Sequence, residues 1–234
     1  MIIIIVSACL LLPTIILWQA KQVKKNAIRL PEADGSRESL VKAPLSFLHI
    51  GESTVAGVGV KNIQDGLSTN IINALNESST PDICWQILGV NGATIAETQS
   101  LETNITAPDI LLITFGVNDT TKFTSKREWL TGIQRCVKKF SAQNTQVFFT
   151  SVPPMHKFPL LPVPLRYLLG WRSAFLDRHL NSICQDNGWH HLHIEFGSSE
   201  DLMAEDGYHP NAKGYAIWGE EVAKIIRQVF KKTD

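Results

Sequence analysis

At 234 residues with 44% hydrophobic side chains, the chain can bury one good core and leaves no room for a second full domain. Lys plus Arg number 22 and Asp plus Glu 22, so a formal charge of +0 removes the electrostatic basis for a polyanionic partner. No local basic patch replaces it, and no nucleic-acid role is expected.

The N-terminus departs from this average. Residues 2–18 carry no charge; as a helix they span roughly 25 Å at about 1.5 Å per residue, a little short of a ~30 Å hydrocarbon core. Trp18 suits an interface, and Pro13 sits where it can kink the helix. The basic residues Lys21, Lys24, Lys25 and Arg29 follow the apolar run, whereas a cleavable signal peptide carries them before it. Residues 1–20 are therefore expected to act as an uncleaved hydrophobic anchor that makes a membrane a partner through residues 2–18. The positive-inside rule then places the body of the protein on the cytoplasmic side, with export as the alternative. Residues 21–44 read as a polar linker containing Pro31, Gly35 and Pro44, and the folded domain is expected over 45–234.

From Leu45 a regular alternation begins. Strands are expected at 45–50, 82–89, 109–115, 146–151 and 189–194, and helices at 62–77, 94–102, 125–142, 166–187 and 211–231. Strands separated by helices imply five parallel strands with helices on both faces, an α/β architecture whose functional groups gather at the carboxyl ends of the strands. Cys84, Cys136 and Cys184 are scattered on strand and helix faces and form no disulfide framework; they read as small buried hydrophobes.

The chemistry-bearing residues sit after those strands. Asp206 stands three residues before His209 in Asp206-Gly207-Tyr208-His209-Pro210, so a short loop can set a carboxylate against Nδ1 of the imidazole and leave Nε2 as a base. Ser53, in Gly51-Glu52-Ser53-Thr54 after the first strand, supplies a nucleophile for that base. The backbone N–H groups of Ser53 and Gly92 and the side-chain amide of Asn118 are candidate oxyanion donors. Each motif alone has an ordinary reading, as a helix cap or a turn. Four segments falling on one sheet edge favour catalysis. His190, His191 and His193 lack an accompanying carboxylate or Cys with ligand spacing and read as ordinary strand residues, so no metal is expected.

Gly51-Glu52-Ser53-Thr54, Gly92, Gly116-Val117-Asn118-Asp119 and Asp206-Gly207-Tyr208-His209-Pro210 together resemble the SGNH (GDSL-type) hydrolase family, whose four letters match Ser53, Gly92, Asn118 and His209 in order. The resemblance spans about residues 45–230 and implies a three-layer, flavodoxin-like α/β/α sandwich. It also implies Ser-His-Asp catalysis and esterase, lipase, thioesterase or deacetylase activity, with no cofactor; the leading reading is a serine esterase acting on small or lipid-like acyl esters. Glu52 departs from the family pattern, which has Asp before the serine; Glu52 and Asp119 are read as supporting residues. An acyltransferase or carbohydrate deacetylase using the same site is the alternative, with a non-catalytic binding module behind it. The Pro-rich, apolar segment 153–164, with Leu160 and Leu161, is expected to pack on the domain or to form a lip that contacts acyl chains.

Overall fold

The computed structural model of the chain describes residues 2–76, 83–194 and 199–231, with side chains throughout these except at 2–10 and 200. The helix end expected at 77 and the strand start expected at 82 fall outside those residues. Among the described residues the sheet has six strands in the order β1-β3-β2-β4-β5-β6: β1 (Glu38–Ser39), β2 (Leu45–Gly51), β3 (Ile83–Gly89), β4 (Ile110–Thr114), β5 (Gln146–Thr150) and β6 (His190–Leu192). The pairs from β3 to β6 are parallel, as the alternation of elements implies. The sixth strand corrects the expected count: β1 pairs antiparallel with β3, and it comes from the stretch expected to be a linker.

Strand alternation explains the layers. Leu48, Ile50, Leu111, Ile113, Val147 and Phe149 face one way and pack with Trp129 and Ile133 of α4 (Lys126–Phe140) and Leu176 and Leu180 of α5 (Leu165–Asn187). Phe47, Ile110, Leu112 and Phe148 face the other way and pack with Leu67 and Ile71 of α2 (Leu67–Asn76) and Tyr215, Val222 and Ile226 of α6 (Ala212–Phe230). A side chain of this size contributes about 1.5–3 kcal/mol when fully buried. Local signals set the helix ends. Ser125 and Glu128 form a reciprocal capping box at α4, Asn211 accepts from Gly214 N–H to cap α6, and Gly188 ends α5 at φ +69°. The helix expected over 94–102 is a 3₁₀ turn, Ile95–Ser100.

At the N-terminus, α1 spans Ile2–Asn26 and so runs past the apolar stretch 2–18 into Lys21, Lys24 and Lys25. The expected membrane anchor is not supported: its residues 2–10 lie outside the described side chains, and among the described residues no helix is long and apolar enough to cross a membrane. Beyond Trp18 the helix turns polar, and its later half docks on the domain. Gln19 is buried; its Nε2 donates to the Val163 carbonyl (2.7 Å), and its Oε1 accepts from Leu165 N–H (3.1 Å). Ile16 and Val23, on the same helix stripe, pack on a cluster built from Met155, Leu161, Leu165 and Leu169. Replacing Gln19 with Ala leaves two backbone groups without partners and costs about 1–3 kcal/mol of α1 docking. Limited proteolysis should cut α1 correspondingly faster in Gln19→Ala than in wild type, because cleavage tracks the population of the opened state.

Candidate active site

The parallel register brings the site segments to one level. Gly51 at the end of β2 lies beside Gly89 of β3 and Thr114 of β4, so the loops leaving these strands emerge together. Side chains at Gly51 and Gly89 have no room: a Cβ at 51 would strike Val55 and the Thr114 carbonyl, and one at 89 the backbone of Val55 and Ala56. The turn carrying Ser53 is thus wrapped tightly over the strand ends, with Val55 and Ala56 N–H bonded to the Glu52 carbonyl (3.1 and 3.0 Å).

Ser53, Asp206 and His209, far apart in sequence, meet here. His209 Nε2 lies 2.8 Å from Ser53 Oγ, and His209 Nδ1 lies 2.6 Å from Asp206 Oδ2. The other Asp206 oxygen accepts from the N–H groups of Tyr208 (2.9 Å) and His209 (3.0 Å), so one carboxylate shapes the loop and orients the ring. Burial pushes the Asp206 carboxyl up, but the bonds from the His209 ring, from both N–H groups and the His209 charge outweigh it and hold the group below the ordinary carboxylate range. Asp206 is therefore ionised in the neutral range.

Gly92 lies in the turn after β3 at φ +81°, a conformation that favours glycine, with open space where a Cβ would stand. Among the described residues neither the Ser53 nor the Gly92 N–H meets a protein acceptor, which leaves both free for an incoming oxygen. The Gly92 carbonyl accepts from Lys122 Nζ (2.8 Å), a fixing contact that sequence reasoning missed. Asn118 lies on the short helix α3 (Val117–Thr121), and its Nδ2 donates to Glu52 Oε2. Glu52 Oε1 also accepts from Val117 N–H (2.9 Å) and Oε2 from Asn118 N–H (3.0 Å). Sequence reading had Glu52 only as a supporting residue; its partners, 65 and 66 positions away, show what it supports. Asp119 is buried, accepts from Ile95 N–H (3.0 Å), and is pushed up chiefly by burial.

Other histidines have separate tasks. His49 is fully buried on β2 between Ser68 Oγ (2.8 Å from Nδ1) and Thr114 Oγ1 (3.0 Å from Nε2), and burial lowers it to about 3, so it stays neutral. His191 bonds to Asp177 (2.9 Å), and His190 stacks on Phe148. Among the described residues no group of three or more His, Cys, Asp or Glu could hold a metal ion.

A mixed, mostly parallel α/β sheet thus carries Ser53, His209 and Asp206 in hydrogen-bond contact at its carboxyl edge. Residues 49–217 match the GDSL-like Lipase/Acylhydrolase family, and the chain belongs to that family. Three solved structures share the fold. The psychrotrophic esterase EstA from Pseudoalteromonas sp. is 20% identical with a TM-score of 0.63, over 80% of this chain and 98% of that one. A lipase/acylhydrolase from Enterococcus faecalis is 15% identical with a TM-score of 0.62, over 79% and 96%. An acetyl xylan esterase from Geobacillus stearothermophilus is 14% identical with a TM-score of 0.58, over 80% and 97%. No curated protein sequence matches the chain.

Asp206→Asn keeps the loop acceptors but loses the charge that orients His209. It should lower kcat for an ester by about 10⁴-fold with little change in KM, read from steady-state kinetics.

Proposed function

We propose that this hydrolase cleaves carboxylic esters of lipid-like acids through an acyl-enzyme on Ser53. The observation that carries the reading is the unbroken chain Asp206–His209–Ser53, with contacts of 2.6 and 2.8 Å, beside two unpaired backbone donors. His209 Nε2 takes the Ser53 proton as Oγ bonds to the ester carbonyl carbon, and the carbonyl electrons move to its oxygen. The Ser53 and Gly92 N–H groups and Asn118 Nδ2 receive that oxyanion. On collapse the bond to the alcohol oxygen breaks, and His209 returns the proton to the departing alkoxide. Water, deprotonated by His209, then releases the acid and restores Ser53. No cofactor enters any step.

The lip supports an apolar acyl group over a sugar ester. Leu160 packs against Gly207 of the base loop and is 54% exposed, whereas Leu161 is 3% exposed and belongs to the cluster with Met155, Leu165 and Leu169. Of the segment expected either to pack or to contact substrate, Leu161 packs on the domain, and the exposed Leu160 is the residue that would meet an acyl chain. Phe158 stacks on Tyr208 at 6.4 Å, and α1 adds Ile15 and Trp18, both exposed, beside the stripe that docks on this cluster. An apolar rim of this kind suits an amphiphilic ester presented at a lipid surface, and a peripheral seat there needs no membrane-crossing helix.

Ser53→Ala should abolish ester hydrolysis and covalent labelling by a fluorophosphonate probe; retained turnover would remove Ser53 from the mechanism. Leu160→Ser should lower kcat/KM for a decanoate ester about tenfold, and several-fold less for an acetate ester. Equal losses across a graded acyl series would rule out the lip as the acyl contact.

A further inference from the structure

Glu52 directly precedes the proposed nucleophile and is 3% exposed, yet its carboxylate serves the start of α3. All of its partners there are donors: Val117 N–H on Oε1, and Asn118 N–H and Nδ2 on Oε2. An ionised carboxylate meets all three with acceptor lone pairs alone. A proton on either oxygen points at a donor, which leaves a buried O–H without an acceptor. The contact also selects which end of the Asn118 amide faces Glu52. Nitrogen is chosen over oxygen, and because Nδ2 carries two protons, one remains to donate elsewhere.

We propose that Glu52 is a positioning residue for the oxyanion hole: its ionised carboxylate locks the Asn118 amide with nitrogen available to the oxyanion, and a proton on Glu52 frees that amide to flip and offer oxygen instead. This rests on the reading of Asn118 as an oxyanion donor. A protonated Glu52 donates to Asn118 Oδ1, and in that flip an acceptor comes to stand where negative charge develops, which opposes catalysis.

The group is poised for such a change. Burial raises Glu52 to about 7, the bonds from Val117 and Asn118 oppose the rise, and the Asp119 charge on α3 adds to it. Asp119 in turn feels Lys122 and Glu97, and across Ser53 stand His209 and Asp206. As pH falls through about 7, Glu52 gains its proton and the lock is lost; as pH rises, the lock returns. His209 must also be free of its proton, so two deprotonations precede activity on the acid side.

The test is kcat/KM for a water-soluble acetate ester against pH in wild type, Glu52→Gln and Glu52→Asp, with thermal melting of each. The slope of log(kcat/KM) in the acid limb should approach about two in wild type and about one in Glu52→Gln. Glu52→Gln should lose about 10²–10³ in kcat with KM within about threefold. It should melt no lower than wild type at about pH 8.5, because it lacks the buried charge. Glu52→Asp, which keeps the charge, should recover at least about tenfold of that loss. Wild-type kcat in Glu52→Gln overturns the proposal. So does an acid limb whose slope is the same in wild type and Glu52→Gln, or a loss accompanied by a fallen melting temperature at alkaline pH. Fluorophosphonate labelling of wild-type Ser53 tests the underlying reading separately: a labelled enzyme with an indifferent Glu52 sinks only the positioning role, and an unlabelled Ser53 sinks the hydrolase mechanism.

Discussion

Parallel strands β2, β3 and β4 end in register, Gly51 beside Gly89 and Thr114, and the geometry of the site follows from that alignment. Three loops leave at one height, so a serine, a glycine and an asparagine from separate segments can address a common point without long side chains. The two strand-end glycines let the serine turn fold back onto the sheet, where a methyl group would collide with backbone. Parallel sheets buried on both faces are rigid, and rigidity is what a constellation of donors requires. His209, the proposed base, arrives differently: its loop is shaped locally by Asp206 and closed by Ala204 N–H on the His209 carbonyl (2.8 Å).

Two carboxylates next to the proposed nucleophile are shifted in opposite directions, and the difference lies in their partners. Asp206 faces a ring that can share its positive charge, so its folded-state value is depressed; the stability it contributes is present above its unfolded value and is lost as pH falls through the folded one. Glu52 has donors but no cation, so burial prevails and its value is raised to about 7. The fold then favours neutral Glu52: that stability is complete below the ordinary glutamate range and is lost as pH rises through about 7. Keeping the carboxylate ionised above that pH costs the fold about 3 kcal/mol, a strain that resides where the site needs a fixed amide.

What the sequence disclosed follows the range of the forces involved. The continuous apolar run at Ile110–Thr114 and the Asp206–His209 loop are both set within a few residues, and each was legible. Short elements fixed by distant partners were not. β1 is two residues long and is held through Glu38, which accepts from Gln86 Nε2 (2.8 Å), a contact with no periodic signature. Leu160 and Leu161 are adjacent and chemically alike, and only the fold separates the exposed one from the buried one. The placement of Ser53 beside His209 lay between these cases, because strand order, once inferred as parallel, already assigned both to one edge.

The lip and α1 extend the same logic outward. Ile16 and Val23 of α1 pack into a cluster that also receives Val117, from the helix holding Asn118, and Tyr208, from the loop holding His209. One apolar cluster therefore touches Val117, the neighbour of the proposed oxyanion donor, and Tyr208, the neighbour of the proposed base. Gln19 pins α1 to this cluster through backbone groups on both sides of Pro164, and such bonds fix position irrespective of the neighbouring side chains. The docked part of α1 is thereby continuous, through packed side chains, with the segments that carry both groups.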